Sequence, residues 1–295
     1  MIVWLLTKLI YVAFYLLGRI PRSLAFTLAR ILGTLWFLID RPHRQVVLGN
    51  LSRAFGTGKT LIERKRIARE VFTNIARIPF DIGWSLRLSV DDFMQHCSFS
   101  GIDHVRKAHG KGKGVLILTL HMGNWEFLPV SFISKGLNVS LVYRPLDFKP
   151  ADEFFYNYRR RFGGNPIPKK KSMRKILAAL KRQECVGILL DQDSGLNAGV
   201  FADFFGHPAC TNKGLALVAQ KTGAPVLPVY IISRGERFEV VVGHEIVQIA
   251  SDRKDKDVVS NTQTYNNVLE SIIRQYPEQW LWVHKRWKTR EKIGD

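Results

Sequence analysis

The strongest constraint on this chain is a rhythm of short apolar runs. Runs suited to buried strands recur at Val115–Leu120, Val139–Tyr143, Val186–Leu190, Val226–Ile232 and Phe238–Val242. Between them lie stretches with helical spacing at about 124–135, 151–162, 173–183 and 213–222. Alternating strands and helices predict an α/β fold with a central mixed, mainly parallel sheet flanked by helices. Helical periodicity also runs through Leu61 to Ile78 and is expected to end near Pro79. A last amphipathic helix over about 262–275 puts Tyr265, Val268, Leu269, Ile272 and Ile273 on one face. No internal repeat or low-complexity linker divides the chain, and 295 residues can bury one continuous core. Residues 42–295 are therefore read as a single α/β domain.

Ahead of that domain, residues 1–18 read MIVWLLTKLIYVAFYLLG, with Lys8 the only charge and Arg19 and Arg22 close behind. The run sits at the short end of what spans a bilayer, so a spanning helix and one lying in the interface both fit, as does a buried first helix. A cleaved signal peptide fits less well, because no basic segment precedes the run and no A-x-A-like site follows it. A second apolar helix is expected within residues 19–41, where Leu24 to Ile39 is interrupted by Arg30. Positive charge after the first segment predicts that everything downstream faces the cytoplasm. The sequence thus reads as an N-terminal membrane-associated helical segment followed by the sheet domain.

Composition narrows the class further. The chain carries 44 Lys and Arg against 25 Asp and Glu, a formal charge of +19, with 46% hydrophobic residues. Such hydrophobicity excludes a disordered tail, and the charge calls for an anionic partner. No zinc-finger spacing or RNA-binding signature accompanies it, so no nucleic-acid partner is expected. The three cysteines, Cys97, Cys185 and Cys210, form no C-x-x-C pair, so neither a disulfide framework nor a thiolate metal site is supported.

Chemistry concentrates where the first of these strands ends. His121 stands at the carboxyl end of the run from Val115, Gly123 permits a tight turn, and Glu126 falls in or near the first turn of the next helix. Open α/β sheets place their sites at such strand ends. An imidazole held by a carboxylate is an oriented general base. The plain alternative is a strand-end histidine bonded only to backbone.

The run His121-Met122-Gly123-Asn124-Trp125-Glu126 resembles the H-(F/M)-G-N-W-E signature of the bacterial lipid A biosynthesis acyltransferase family, the late acyltransferases and their glycolipid-acylating relatives. Further blocks resemble that family across most of the chain: 50–55, Tyr143-Arg144-Pro145-Leu146-Asp147, Asp191-Gln192-Asp193-Ser194-Gly195, 200–211 and the closing Pro277 to Trp287. The resemblance implies an inner-membrane protein, catalytic domain toward the cytoplasm, that moves a fatty acyl chain from acyl carrier protein to a lipid hydroxyl. It implies His121 as base and Glu126 as its holder, where glycerolipid acyltransferases normally carry H-x4-D. It also implies that Arg144, Arg159, Arg161 or Arg286 binds a phosphate or the oxyanion, with the backbone around Gly123 and Asn124 as further donors. Asp191 and Asp193 would orient a basic site residue or bind the acceptor. Read alone, that D-x-D also resembles a metal-binding motif of sugar-nucleotide transferases, but the neighbouring blocks favour a site with no metal and no cofactor, the acyl carrier being a substrate. Thr211 is expected to cap a helix starting near Lys213. In the closing block Tyr276, Trp280, Trp282, His284 and Trp287, with Lys285 and Arg286, suit a membrane interface or the core. The expected partners are acyl carrier protein, an anionic lipid acceptor and the membrane. A lysophospholipid acceptor is the alternative, and a non-catalytic basic lipid-binding protein is the alternative of a different class.

Overall fold

The run from Val115 is buried at every position because helices cover both of its faces. In the computed structural model, which describes residues 1–290, it lies near the middle of a seven-stranded sheet. The chain begins with helices α1 (Ile2–Leu17), α2 (Arg22–Ile39), α3 (Arg41–Phe55), α4 (Leu61–Ser85) and α5 (Val90–Met94). Then β1 (Cys97–Ser100), α6 (Ile102–His109), β2 (Val115–Thr119), α7 (Leu128–Ile133), β3 (Val139–Tyr143), α8 (Lys149–Arg161), β4 (Asn165–Pro168), α9 (Met173–Lys181) and β5 (Cys185–Leu189) alternate. A separate hairpin of β6 (Gly199–Phe204) and β7 (His207–Asn212) precedes α10 (Gly214–Thr222), β8 (Val226–Arg234), β9 (Arg237–Val242) and α11 (Lys254–Gln275).

The sheet order is β1-β9-β8-β2-β5-β3-β4, parallel except for the β8–β9 pair. The expected α/β class is borne out. Alternation along β2 feeds two cores: Leu116 and Leu118 pack with Ile176, Leu215 and Leu269 on one face, while Val115 and Ile117 pack with Phe132 and Phe154 on the other. Residues 291–295 of the expected sheet domain lie outside the described residues.

Several elements depart from the sequence reading. Helix α4 does not stop at Pro79 but runs through it to Ser85, because Phe80 and Ile82 beyond it are buried and hold the last turns in place. Its start is fixed by a capping box between Thr60 and Glu63. Helix α11 begins at Lys254, ahead of the expected 262. Thr211 caps no helix; it lies in β7 and bonds to Asn266 and Arg286. Of the two readings of the closing tryptophans the core one holds: Trp280, Trp282 and Trp287 are buried among Phe204, Phe205 and one another.

The first two helices each have one packed side and one open side. Phe14 of α1 stacks on Phe154 of α8 at 4.6 Å. Gly18 and Gly83 let α1 cross α4 so closely that a Cβ on either would overlap backbone of the other helix. Helix α2 lays Ala25, Ala29, Gly33 and Phe37 toward the protein, with Gly33 against the α4 backbone at Thr73. At its foot Arg22 and Arg77 share the buried carboxylate of Asp81, at 3.4 and 3.0 Å. The opposite sides expose Trp4, Leu5, Leu9, Val12 and Leu16 from α1 and Ile31, Leu35 and Leu38 from α2.

Candidate active site

Strand register brings the site together. In the parallel β2–β5 pair Thr119 stands opposite Leu189, so His121 and Asp191, each two residues further on, leave the same sheet edge side by side. Asp191 accepts from the His121 ring at Nδ1 (2.8 Å) and from its amide (2.9 Å). Trp280 adds its indole N–H to the same carboxylate at 2.8 Å. The closing block grips the other side of the loop, with Leu281 donating to the His121 carbonyl and Gly123 donating to Gln279, both at 3.0 Å. Gly123 has φ +55, and a Cβ there would press on the Ile231 carbonyl, so the turn requires glycine.

Burial alone would raise the Asp191 pKa, but the charge of His121, its two hydrogen bonds and the nearby His284 outweigh it and hold the carboxyl well below the usual range. An ionised Asp191 can only accept, so the proton of the neutral imidazole sits on Nδ1 and the Nε2 lone pair stays available. No side chain among the described residues bonds Nε2, and the Trp125 ring stands edge-on to the imidazole at 4.9 Å.

The expected partner of His121 is engaged elsewhere. Both oxygens of Glu126 take the guanidinium of Arg159, at 2.6 and 2.8 Å, in a bidentate pair from which most water is excluded. The holder of the imidazole is therefore Asp191, and Glu126 instead neutralises Arg159, whose guanidinium also lies 5.0 Å from the Tyr143 ring. Arg161 ties the end of α8 to the carbonyls of Ser85 and Leu88. Arg144 stands in solvent with Asp147. Asp193 takes the amide and hydroxyl of Thr289, just past the closing block, at 3.2 and 2.8 Å. Arg286 is wholly buried over Phe204, donating to Thr211 and to the Cys210 carbonyl, and burial lowers its pKa to about 10. It supports the site from behind. Asn124 is buried with neither amide atom bonded to protein.

Beside the ion pair opens an apolar cavity. Thr119, Leu189 and Tyr143 line it together with Glu126 and Arg159, and it continues past Ile117, Gly187 and Leu141 to Cys185 and Val139 under α7. That course follows the strands inward from their carboxyl ends for about 13 Å. Thr119, Trp280, Tyr143 and Gly187 were not singled out by sequence reasoning for these roles. For Trp280 and Tyr143 a signal existed, their places in two of the family blocks; for Thr119 and Gly187 there was none.

The site thus holds a histidine locked by a carboxylate at the carboxyl edge of an α/β sheet, near an apolar cavity, an arrangement that lets an imidazole accept a proton beside an apolar group. Residues 1–289 match the profile of the bacterial lipid A biosynthesis acyltransferase family, and the chain belongs to that family. It is 24% identical to a lipid A biosynthesis acyltransferase of Haemophilus influenzae, over 79% of this chain and 72% of that protein. A lipid A biosynthesis lauroyltransferase of Escherichia coli is 23% identical over 94% of this chain and 89% of its own length. A phosphatidylinositol mannoside acyltransferase of Mycobacterium tuberculosis shares 27% identity over 63% of this chain and 58% of its own.

Proposed function

We propose that this enzyme transfers a fatty acyl chain from acyl carrier protein to a hydroxyl of a lipid A precursor or a related glycolipid at the cytoplasmic face of the inner membrane. The observation that carries the reading is the His121–Asp191 pair set beside the apolar cavity. His121 Nε2 takes the proton of the acceptor hydroxyl as its oxygen attacks the thioester carbon, and Asp191 stabilises the imidazolium that forms. The tetrahedral oxyanion is met by the side-chain amide of Asn124, which no protein group satisfies. Collapse breaks the carbon–sulfur bond, and the departing thiolate takes from His121 the proton that came from the acceptor hydroxyl. The acyl chain occupies the cavity, with the Glu126–Arg159 pair at its polar end.

Two further observations support the membrane part of the reading. The exposed faces of α1 and α2 are apolar over most of their length, and water-exposed patches of that extent mark a lipid or protein contact. The net charge of +19 suits both anionic lipid and an acidic carrier. The test is transfer by purified enzyme from acyl-carrier donors to a lipid A precursor, with product mass as readout. His121→Ala abolishes transfer in a protein that still folds, and prolonged chelation leaves the rate unchanged. Transfer to lysophospholipid but not to the lipid A precursor would replace the acceptor. Normal turnover by folded His121→Ala would end the mechanism.

A further inference from the structure

A second feature of the same sheet edge takes no part in this chemistry. After β4 the chain turns through Lys169, Lys170 and Lys171 into α9, where Arg174 and Lys175 follow; all five are exposed, and none is in an ion pair among the described residues. Lys171 itself adopts φ +57, so the turn is a defined one rather than a continuation of strand or helix.

Neighbouring strand ends give the ridge its surroundings. Tyr143 pairs with Pro168, and Lys169 donates to the Tyr143 carbonyl at 2.8 Å, so the loop after β3 and the turn after β4 emerge together. That loop exposes Leu146 and Phe148 at 45% and 57%, and α9 adds Met173 at 37%. Its far end meets α1: the Thr7 hydroxyl reaches the Pro150 carbonyl and Glu153 at the start of α8. An apolar helix face, an apolar loop and a cationic ridge therefore follow one another along one edge. The acidic groups here are already engaged, Asp147 with Arg144, Asp152 with the Leu146 amide and Glu153 with Thr7.

We propose that the 144–148 loop and the Lys169–Lys175 ridge form a second membrane contact, in which the cations take anionic phospholipid headgroups while Leu146, Phe148 and Met173 dip toward the acyl layer. This rests on the membrane reading above and adds to it a specific place and lipid charge. The mixture decides the partner. An acidic protein surface would satisfy the lysines but leave three large apolar side chains with nothing to enter, whereas a bilayer offers both layers at the right depths. The consequence concerns access, because Tyr143 both lines the cavity and begins this loop. Seating the loop in the interface brings the cavity mouth to the lipid.

The experiment uses the full chain and flotation with two kinds of vesicle, phosphatidylethanolamine with phosphatidylglycerol and phosphatidylcholine alone. Failure of wild type to bind either kind of vesicle ends the membrane reading and this inference with it. The triple variant Lys169→Glu, Lys170→Glu, Lys171→Glu is expected to lose at least about tenfold in partition onto the anionic vesicles. Its binding to neutral vesicles and its melting temperature should stay as in wild type. Leu146→Ser with Phe148→Ser is expected to weaken binding to both. Unchanged partition of the triple variant onto anionic vesicles overturns the inference. So does a raised KM for the acyl-carrier donor in detergent with partition unchanged, which would make the ridge a carrier-docking surface.

Discussion

In the proposed mechanism the imidazole of His121 serves only while Asp191 keeps its charge and its aim. Asp191→Asn removes the charge that balances the imidazolium while nearly preserving shape, so kcat is expected to fall by at least about 10²-fold, with the fold retained. The same group predicts a pH effect on stability. Its folded pKa lies below the ordinary carboxylate value of about 3.9, so its contribution is fully present above that value and is lost as pH falls below it. Thermal melts should show a gap between wild type and Asp191→Asn that is constant near neutrality and narrows below about pH 4. Gly187 belongs to this scale too. A Cβ there would find only ordinary contacts, with Ser140 and Leu141 at 3.8 and 4.0 Å, so a side chain fits but projects into the cavity. Gly187→Val is expected to move donor preference toward shorter chains, by about tenfold in the ratio of kcat/KM values between long and short donors. His121 and the strand that delivers it were legible in the sequence. Asp191 reads in the sequence as orienting a basic site residue, but that this residue is His121 was not legible, because 70 positions separate the two and only the β2–β5 register joins them. Proximity in sequence favoured Glu126, and a buried arginine arriving from α8 claimed that carboxylate instead.

Elements were legible where hydrophobic period was strong. The five apolar strands and the helices between them are present, but β1, β4 and the β6–β7 hairpin are short and partly polar, so their pattern carries little signal. The hairpin turn did leave a local trace, since Phe205 and Gly206 both take positive φ and Gly206 follows the common preference. Pro79 misled in the other direction: a proline costs a helix about 3 kcal/mol, but burial of the residues after it outweighs that local penalty. The glycine crossing of α1 over α4 is the element contact most open to test. Gly83→Ala places a methyl group against the Phe14 carbonyl, so α1 must shift, at a cost of about 1–3 kcal/mol. Limited trypsin digestion should then cut after Arg19 faster than in wild type, while the sheet domain resists as before. Equal rates of cutting would show that the crossing holds α1 only weakly.

At the scale of the whole molecule, α1 has no fully buried residue, so it lies on the α/β body rather than within it. Deleting residues 1–18 should leave a cooperative thermal transition and lower the affinity for vesicles. Salt should release the truncated protein more readily than the intact one, because what remains is more electrostatic and electrostatic attraction is screened. Loss of the transition would make α1 part of the core. The closing block has the opposite character. Its tryptophans lie inside, and through Gln279, Trp280 and Leu281 it fixes the loop that carries His121 and the carboxylate that holds it. These residues are polymerised after every strand of the sheet. On the ribosome, then, the loop that carries His121 is made long before its clasp, and its geometry is complete only when Trp280 has left the exit tunnel and folded back onto Asp191.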